Sequence, residues 1–291
     1  WKWKWSPSFR ATSTGDWVVM PATVRRGPIG VNPIIVDRSP TNVGYRTSSS
    51  ISMFVVMGLM AFIASRDDLL AAEGRELTGV QACESVARAL NRVAPYDAGA
   101  LMSTDPETHL PAGGVVTGFQ PCACAPFWDN ELLDPDFNKF NDLAKRLEPV
   151  ATLADATDGE IARSPRFQKL YADFGATDEL RIVVMAGATC LAIGAFVRCG
   201  GTFSTSETSD VSNLLTPAAG VFRRGLVASE RPTPHGPVII LLDAQHNVVS
   251  QSEGAVDVLD DLRSSVDGDV PTTVLVAALR ARARHDSGRF T

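Results

Sequence analysis

The chain has no hydrophobic run long enough to cross a bilayer. Its one strongly apolar stretch, "ISMFVVMGLMAFIA" from Ile51 to Ala64, has 14 residues, where a span needs about 20. Cysteine is scarce and irregular. Cys83, Cys122, Cys124, Cys190 and Cys199 make an odd count with no repeated spacing, which is not the pattern of a disulfide framework. Cys122 and Cys124 stand too close together for the usual zinc pair, and no C-x-x-C or H-x-x-x-H answers them elsewhere. They read as buried thiols of a reducing, cytoplasmic protein, with a Cys122–Cys124 redox pair as the alternative. A basic surplus is missing too. The net charge of −6 argues against nucleic-acid binding by this stretch itself, since duplex recognition needs a basic face. Nucleophile elbows of the form G-x-S-x-G and phosphate-cradling G-x-x-x-x-G-K-[ST] loops are absent. The four histidines are scattered. No residue is assigned a catalytic or metal-binding role, and no cofactor is called for.

What is present divides the chain in two. Residues 1–59 hold seven Lys/Arg and two Asp/Glu, a net of +5, which leaves 20 and 31, a net of −11, for residues 60–291. The first 59 residues are rich in Pro, Ser, Thr and Arg and carry no sustained period, so they read as a disordered or non-native extension. Met60 is the natural start of the folded part. A secretory signal is the alternative for this region, with Arg46 before the apolar run and Ala61, Ala64 and Ser65 near its end.

Beyond Met60 the periodicities alternate in kind. Leu69, Leu70, Leu77, Val80, Val86, Leu90 and Val93 form a helical stripe, divided near Thr78–Gly79 and stopped by Pro95. A hairpin is expected from Ala98–Ser103 and Val115–Phe119, then a helical region over Pro126–Leu147 and a helix over Pro165–Phe174. The apolar runs "LRIVVMAG" and "CLAIGAFVR" are two strands, and a long helix follows over Ser206–Ser229. This order describes an α+β fold, an antiparallel sheet flanked by helices over residues 60–230. After the linker 231–236, residues 237–291 carry a hairpin ("VIILLD", "VVSQS") and helices over Glu253–Leu262 and Pro271–His285. So small a unit rarely closes a core alone.

The segments "FWDNELLDPDFNKFNDLAKR", "VATLADATDGEIARSPRFQKLYADFGATDELRIVVMAG" and "CLAIGAFVR" resemble the sensor region of actinobacterial LuxR-type transcriptional regulators. "GPVIILLDAQHNVVSQSEGAVDVLDDL" is similar to the opening of the PAS-like domain that follows a GAF-like domain in that family. The resemblance covers roughly Leu69 to Thr291 and rests on pattern and order. It implies a GAF-like sensory domain and a partial PAS-like domain, governing a C-terminal helix-turn-helix that this chain lacks. It brings no ligand residues with it. A small-molecule ligand and a homodimer are the expected partners, with DNA reached only through the missing domain and no membrane. The helix Ser206–Ser229 is the expected dimer contact. Alternatives are a small enzyme with an unrecognised active site and a membrane-anchored sensor using residues 48–65.

"NKFND", Asn138 to Asp142, also resembles a signature in the sensor domains of cyclic-nucleotide phosphodiesterases, but Phe140 follows Lys139 directly and no acidic pair comes after. A structural helix, with Asp136 or Asn138 as its cap and Asn141 and Asp142 in solvent, accounts for it. Close carboxylates such as Asp129 and Glu131 read as solvated. A ligand pocket on the open side of the sheet would be lined by Met102, Phe119, Trp128, Phe140 and Met185.

Overall fold

The computed structural model describes residues 49–119, 124–227, 237–263 and 270–286. The helical stripe becomes α1 (Ser49–Glu73) and α2 (Gly79–Val93). The break falls where the sequence invites it. Thr78 and Gln81 form a capping box, Gln81 N–H donating to Thr78 Oγ1 at 3.2 Å and Thr78 N–H donating to Gln81 Oε1 at 3.0 Å. These two bonds satisfy donors that an uncapped helix start leaves bare.

Strands β1 (Ala98–Thr104) and β2 (Pro111–Thr117) form the expected hairpin. Asp105 closes its turn by accepting from the backbone N–H and hydroxyl of Thr108, both at 2.7 Å. The helical region expected over Pro126–Leu147 is not continuous. It resolves into α3 (Cys124–Leu132), a loop, and the short α4 (Phe140–Leu143). Strand β3 (Val150–Thr152) and α5 (Leu153–Ala156) follow, then a 3-10 turn (Ile161–Arg163) and a π turn (Phe167–Tyr171) where a regular helix was expected. The strands β4 (Asp178–Ala186) and β5 (Thr189–Arg198) and the helix α6 (Thr205–Val227) complete the layer.

The five strands pair in the order β2-β1-β5-β4-β3, every pair antiparallel. The fold is α+β, as the order of elements in the sequence leads one to expect. Alternation along each strand sends successive side chains to opposite faces. Leu101, Leu180, Ile182, Val184 and Phe196 face one way and meet α1, α2 and α6 in the main core, with Val86, Leu90, Leu214 and Phe222. Packing is tight enough to dictate glycine: a Cβ on Gly99 would stand 2.4 Å from the Phe196 ring. The apolar stripe of α6, with Val211, Leu214, Ala218, Val221 and Phe222 all buried, is consumed by this core. A homodimer would therefore use other side chains than that stripe.

The first half of α1 behaves differently. Met53, Val56, Met57 and Met60 are between 52% and 62% exposed. Among the described residues no helix is long and apolar enough to cross a membrane.

Residues 237–286 contribute a two-stranded sheet, β6 (Ile240–Leu242) and β7 (Val248–Gln251), with α7 (Ala255–Leu262) and α8 (Thr272–Asp286). This unit finds its core on the sheet domain. Val270, Leu275, Val276 and Leu279 cluster with Trp128, Met102, Val183 and Ile193. Arg280 donates to the carbonyls of Thr108 at 2.9 Å and His109 at 2.6 Å, fastening α8 to the β1–β2 turn.

Candidate functional site

The second face of the sheet carries Ala98, Ala100 and Met102 from β1, and Ile193 and Ala195 from β5. From β4 it carries Glu179 and Arg181, and Arg181 pairs across the strands with Ala195. Two ionised side chains thus project from a central strand into a region covered by α3, the loop after it and the π turn.

Glu179 is the hub. It accepts from Arg166 Nη2 at 2.6 Å, Arg166 Nε at 3.1 Å, Arg181 Nε at 3.2 Å and the Tyr171 hydroxyl at 3.0 Å. Arg181 Nη1 donates to Glu131 Oε2 at 2.7 Å and to the Asn138 carbonyl at 3.0 Å. Glu131 Oε1 in turn accepts the Phe140 N–H at 2.8 Å. Arg166 also reaches the Phe137 carbonyl at 3.1 Å, and its backbone N–H donates to Asp136 at 2.7 Å. Both arginine side chains are fully buried.

Lys139 completes the balance. Its ammonium donates to the carbonyls of Asn130 at 2.6 Å, Glu131 at 2.9 Å and Asp134, and so caps the open C-terminal end of α3. Arg166, Arg181 and Lys139 stand among Glu131, Asp136 and Glu179, so positive and negative charges match. Unpaired ions would not survive here, because each costs several kcal/mol (on the order of) to strip of water. Burial pushes the Glu179 carboxyl up, but Arg166 and Arg181 outweigh it and hold the group below its usual range. Asp136 is governed likewise: burial raises it, and Arg166 with the hydrogen bonds from Ser164 and Asn130 brings it below the usual range. Burial also pushes the Tyr171 hydroxyl well above its ordinary value, reinforced by the Glu179 charge, and lowers Lys139.

Arg181 Nη2 is the one buried side-chain nitrogen or oxygen among the described residues without a hydrogen-bond partner. The guanidinium carbon lies 4.2 Å from the Phe140 ring centroid and 5.3 Å from that of Phe127. The ring faces supply a share of the stabilisation that a missing acceptor would have given.

Beside this network a cavity of about 70 Å³ opens against the sheet. Ala100, Met102, Val116 and Ala195 form its floor, Phe127 and Trp128 come from α3, and Leu170 and Tyr171 from the π turn. Phe119 and Cys124 complete the lining. Phe119 stacks on Tyr171 with centroids 5.8 Å apart, and Phe127 meets Trp128 edge-on at 5.4 Å. Trp128 also belongs to the cluster that receives α8, so one buried ring serves both the cavity wall and the seat of the C-terminal helix.

Of the residues expected to line a pocket, Met102, Phe119 and Trp128 are brought together around this cavity. Phe140 and Met185 are not among its lining. Phe140 lies beneath Arg181, and Met185 sits at the edge of the cluster under α8. Cys122 lies outside the described residues. Cys124 opens α3 and is half-buried in the cavity wall. Burial pushes the Cys83 thiol up to about 12, which leaves it an inert core group. Among the described residues no cluster of three or more His, Cys, Asp or Glu side chains could hold a metal ion.

Three expectations about the loop need correcting. Glu131 is 6% exposed and ion-paired, not solvated, because it is the counter-charge for Arg181. Asp129 keeps a side chain 41% exposed, its Oδ1 lying 3.0 Å from the His246 imidazole Nε2. Asp136 and Asn138 do not cap α4. Lys139 holds that position without a side-chain cap, Asn138 has φ 52° and donates to the Thr152 carbonyl at 2.8 Å, and Asp136 serves Arg166 and Ser164. The sequence did contain a signal for the hub. In "DELRIVV" Glu179, Arg181 and Val183 alternate with Leu180, Ile182 and Val184, a strand with one apolar and one charged face.

No protein-family model matches this chain, and no curated protein matches it.

Proposed function

We propose that this chain is the sensory portion of a LuxR-type transcriptional regulator, acting in the cytoplasm by binding and not by catalysis. A small molecule held on the sheet face would shift the conformational balance that controls a C-terminal DNA-binding domain. The observation that carries this reading is the aromatic-lined cavity of about 70 Å³, set between the sheet and α3. Its position supports a signalling role because Trp128 touches both the cavity and the seat of α8. A ligand that moves the indole displaces the last described helix of the chain.

A cyclic nucleotide fits the site poorly. No charged residue lines the cavity, and Asn138, Lys139 and Phe140 are committed to the Thr152 carbonyl, the end of α3 and the Arg181 stack. The regulator reading is tested by reading the gene in frame beyond the codon for Thr291. A stretch encoding a helix-turn-helix with a basic recognition helix is expected; an unrelated domain there would overturn it. The same reading includes a homodimer, and a strictly monomeric full chain in sedimentation at high concentration would remove that part.

A further inference from the structure

Resting on the reading of the cavity as a ligand site, we propose that its ligand is a small, uncharged, hydrocarbon-like molecule, no larger than a single six-membered ring. The side-chain heteroatoms of the lining are few: the sulfurs of Met102 and Cys124, the Trp128 indole nitrogen and the Tyr171 hydroxyl. The hydroxyl is already spent on Glu179 at 3.0 Å. An ionised ligand would therefore lose its hydration on entry and find no counter-charge within the walls.

The neighbouring charges do not supply one. Glu179 is shared by Arg166 and Arg181, and Arg181 is further tied to Glu131 and stacked on Phe140. A carboxylate or ammonium brought in would have to break a balanced network in which Arg166, Arg181 and Glu179 are fully buried. An apolar guest asks for nothing but contact, and aromatic walls offer it generously.

Size follows from volume. An apolar cavity of roughly 150 Å³ is dry and accepts benzene, and the space here is about 70 Å³. Met102 is the adaptable wall, since an unbranched thioether changes rotamer at little cost. Its movement is what would let a ring enter; shorter aliphatic molecules fit as the walls stand.

The test uses the full chain with four probes: cyclopentane and benzene as neutral guests, benzoate and benzylammonium as their charged counterparts. Thermal unfolding is read together with the methyl resonance of 13C-labelled Met102. We expect the neutral probes to raise Tm by about 3–6 °C at ten times their Kd, to move the Met102 resonance, and to lose both effects in Ala100→Leu. Ala195→Val is the second cavity-filling variant, should the first fold poorly. Benzoate or benzylammonium producing the same shift would overturn the uncharged class while leaving a ligand site in place. No response to any of the four would overturn the cavity as a ligand site altogether. Neutral binding that survives both filling variants would move the site elsewhere and overturn the proposal.

Discussion

One sheet supports two unlike faces. Toward α1, α2 and α6 it presents Leu101, Leu180, Ile182 and Phe196, and the contacts are apolar throughout the cluster they form. Toward α3 and the π turn it presents Glu179 and Arg181, and the covering segments answer with Glu131, Arg166 and Tyr171. The first face is held by area removed from water, which is tolerant of rearrangement and indifferent to direction. The second is held by directed, charge-assisted bonds, which fix positions and punish the loss of a single partner. Helices cover the apolar face because a helix offers a continuous stripe. Loops and short turns cover the charged face, since irregular backbone brings carbonyls and N–H groups to bear on the arginines. The cavity lies on the side where covering is irregular, as the two kinds of packing would suggest.

The largest effects should come from breaking the charged face at its hub. Glu179→Gln leaves Arg166 and Arg181 without their shared counter-charge and should cost about 3–5 kcal/mol in urea unfolding. Leu214→Ala, on the apolar face, should cost about 2–5 kcal/mol by opening a cavity. The two sites share no partner, so the double variant should equal the sum within about 0.5 kcal/mol. A larger coupling would mean that the faces are not independent.

Acid sharpens the same contrast. Glu179 and Asp136 hold their protons more weakly folded than unfolded, so their stabilisation is present above the ordinary carboxylate range and is lost as pH falls through and below about 4. Asp178 points toward the helix-covered face and accepts the N–H groups of Ala154 and Phe203, yet burial raises its carboxyl. Its contribution has the opposite sign and opposes acid unfolding. Wild type should therefore lose more stability between pH 7 and pH 3 than Glu179→Gln, measured as the fall in urea midpoint. An equal fall in both would show that the hub does not govern the acid limb.

Smaller changes probe the edges of each face. Thr78→Ala removes half of the capping box at the start of α2 and should cost about 1 kcal/mol. Lys145→Ala touches a pair with Asp142 in which both side chains are more than 60% exposed, and no measurable loss is expected in the same assay.

The helix-covered face was legible in most of its residues: Leu69, Leu77, Val86, Leu90 and Val93 of the expected stripe are buried, whereas Leu70 and Val80 stand exposed. A stripe such as Val86, Leu90 and Val93 needs only the helical period to announce which side is buried. The strands β4 and β5 were legible for their apolar runs, and the division at Thr78 for its cap. Met102, Phe119 and Trp128 line one cavity, because large apolar groups near strand ends and on the covering helix have few other places to go. On the charged face the alternation of "DELRIVV" was legible, but its ion pairs were not. Arg166 meets Glu179 across 13 residues and Arg181 meets Glu131 across 50, and no local period encodes such a pairing. A carboxylate in sequence looks solvated until a buried cation is found opposite it.

The sequence by itself settled the class of fold, because periods of 3.6 and 2 and the caps that end them are properties of neighbouring residues. It also settled the order helix, hairpin, strands, helix. Only the tertiary structure decided that Glu131 is a buried counter-ion, that Lys139 closes the end of α3, and that α8 shares a core cluster with Trp128. These depend on distances between parts of the chain that are remote in sequence. A charge's cost, and therefore its role, is set by what stands within a few ångströms of it in space.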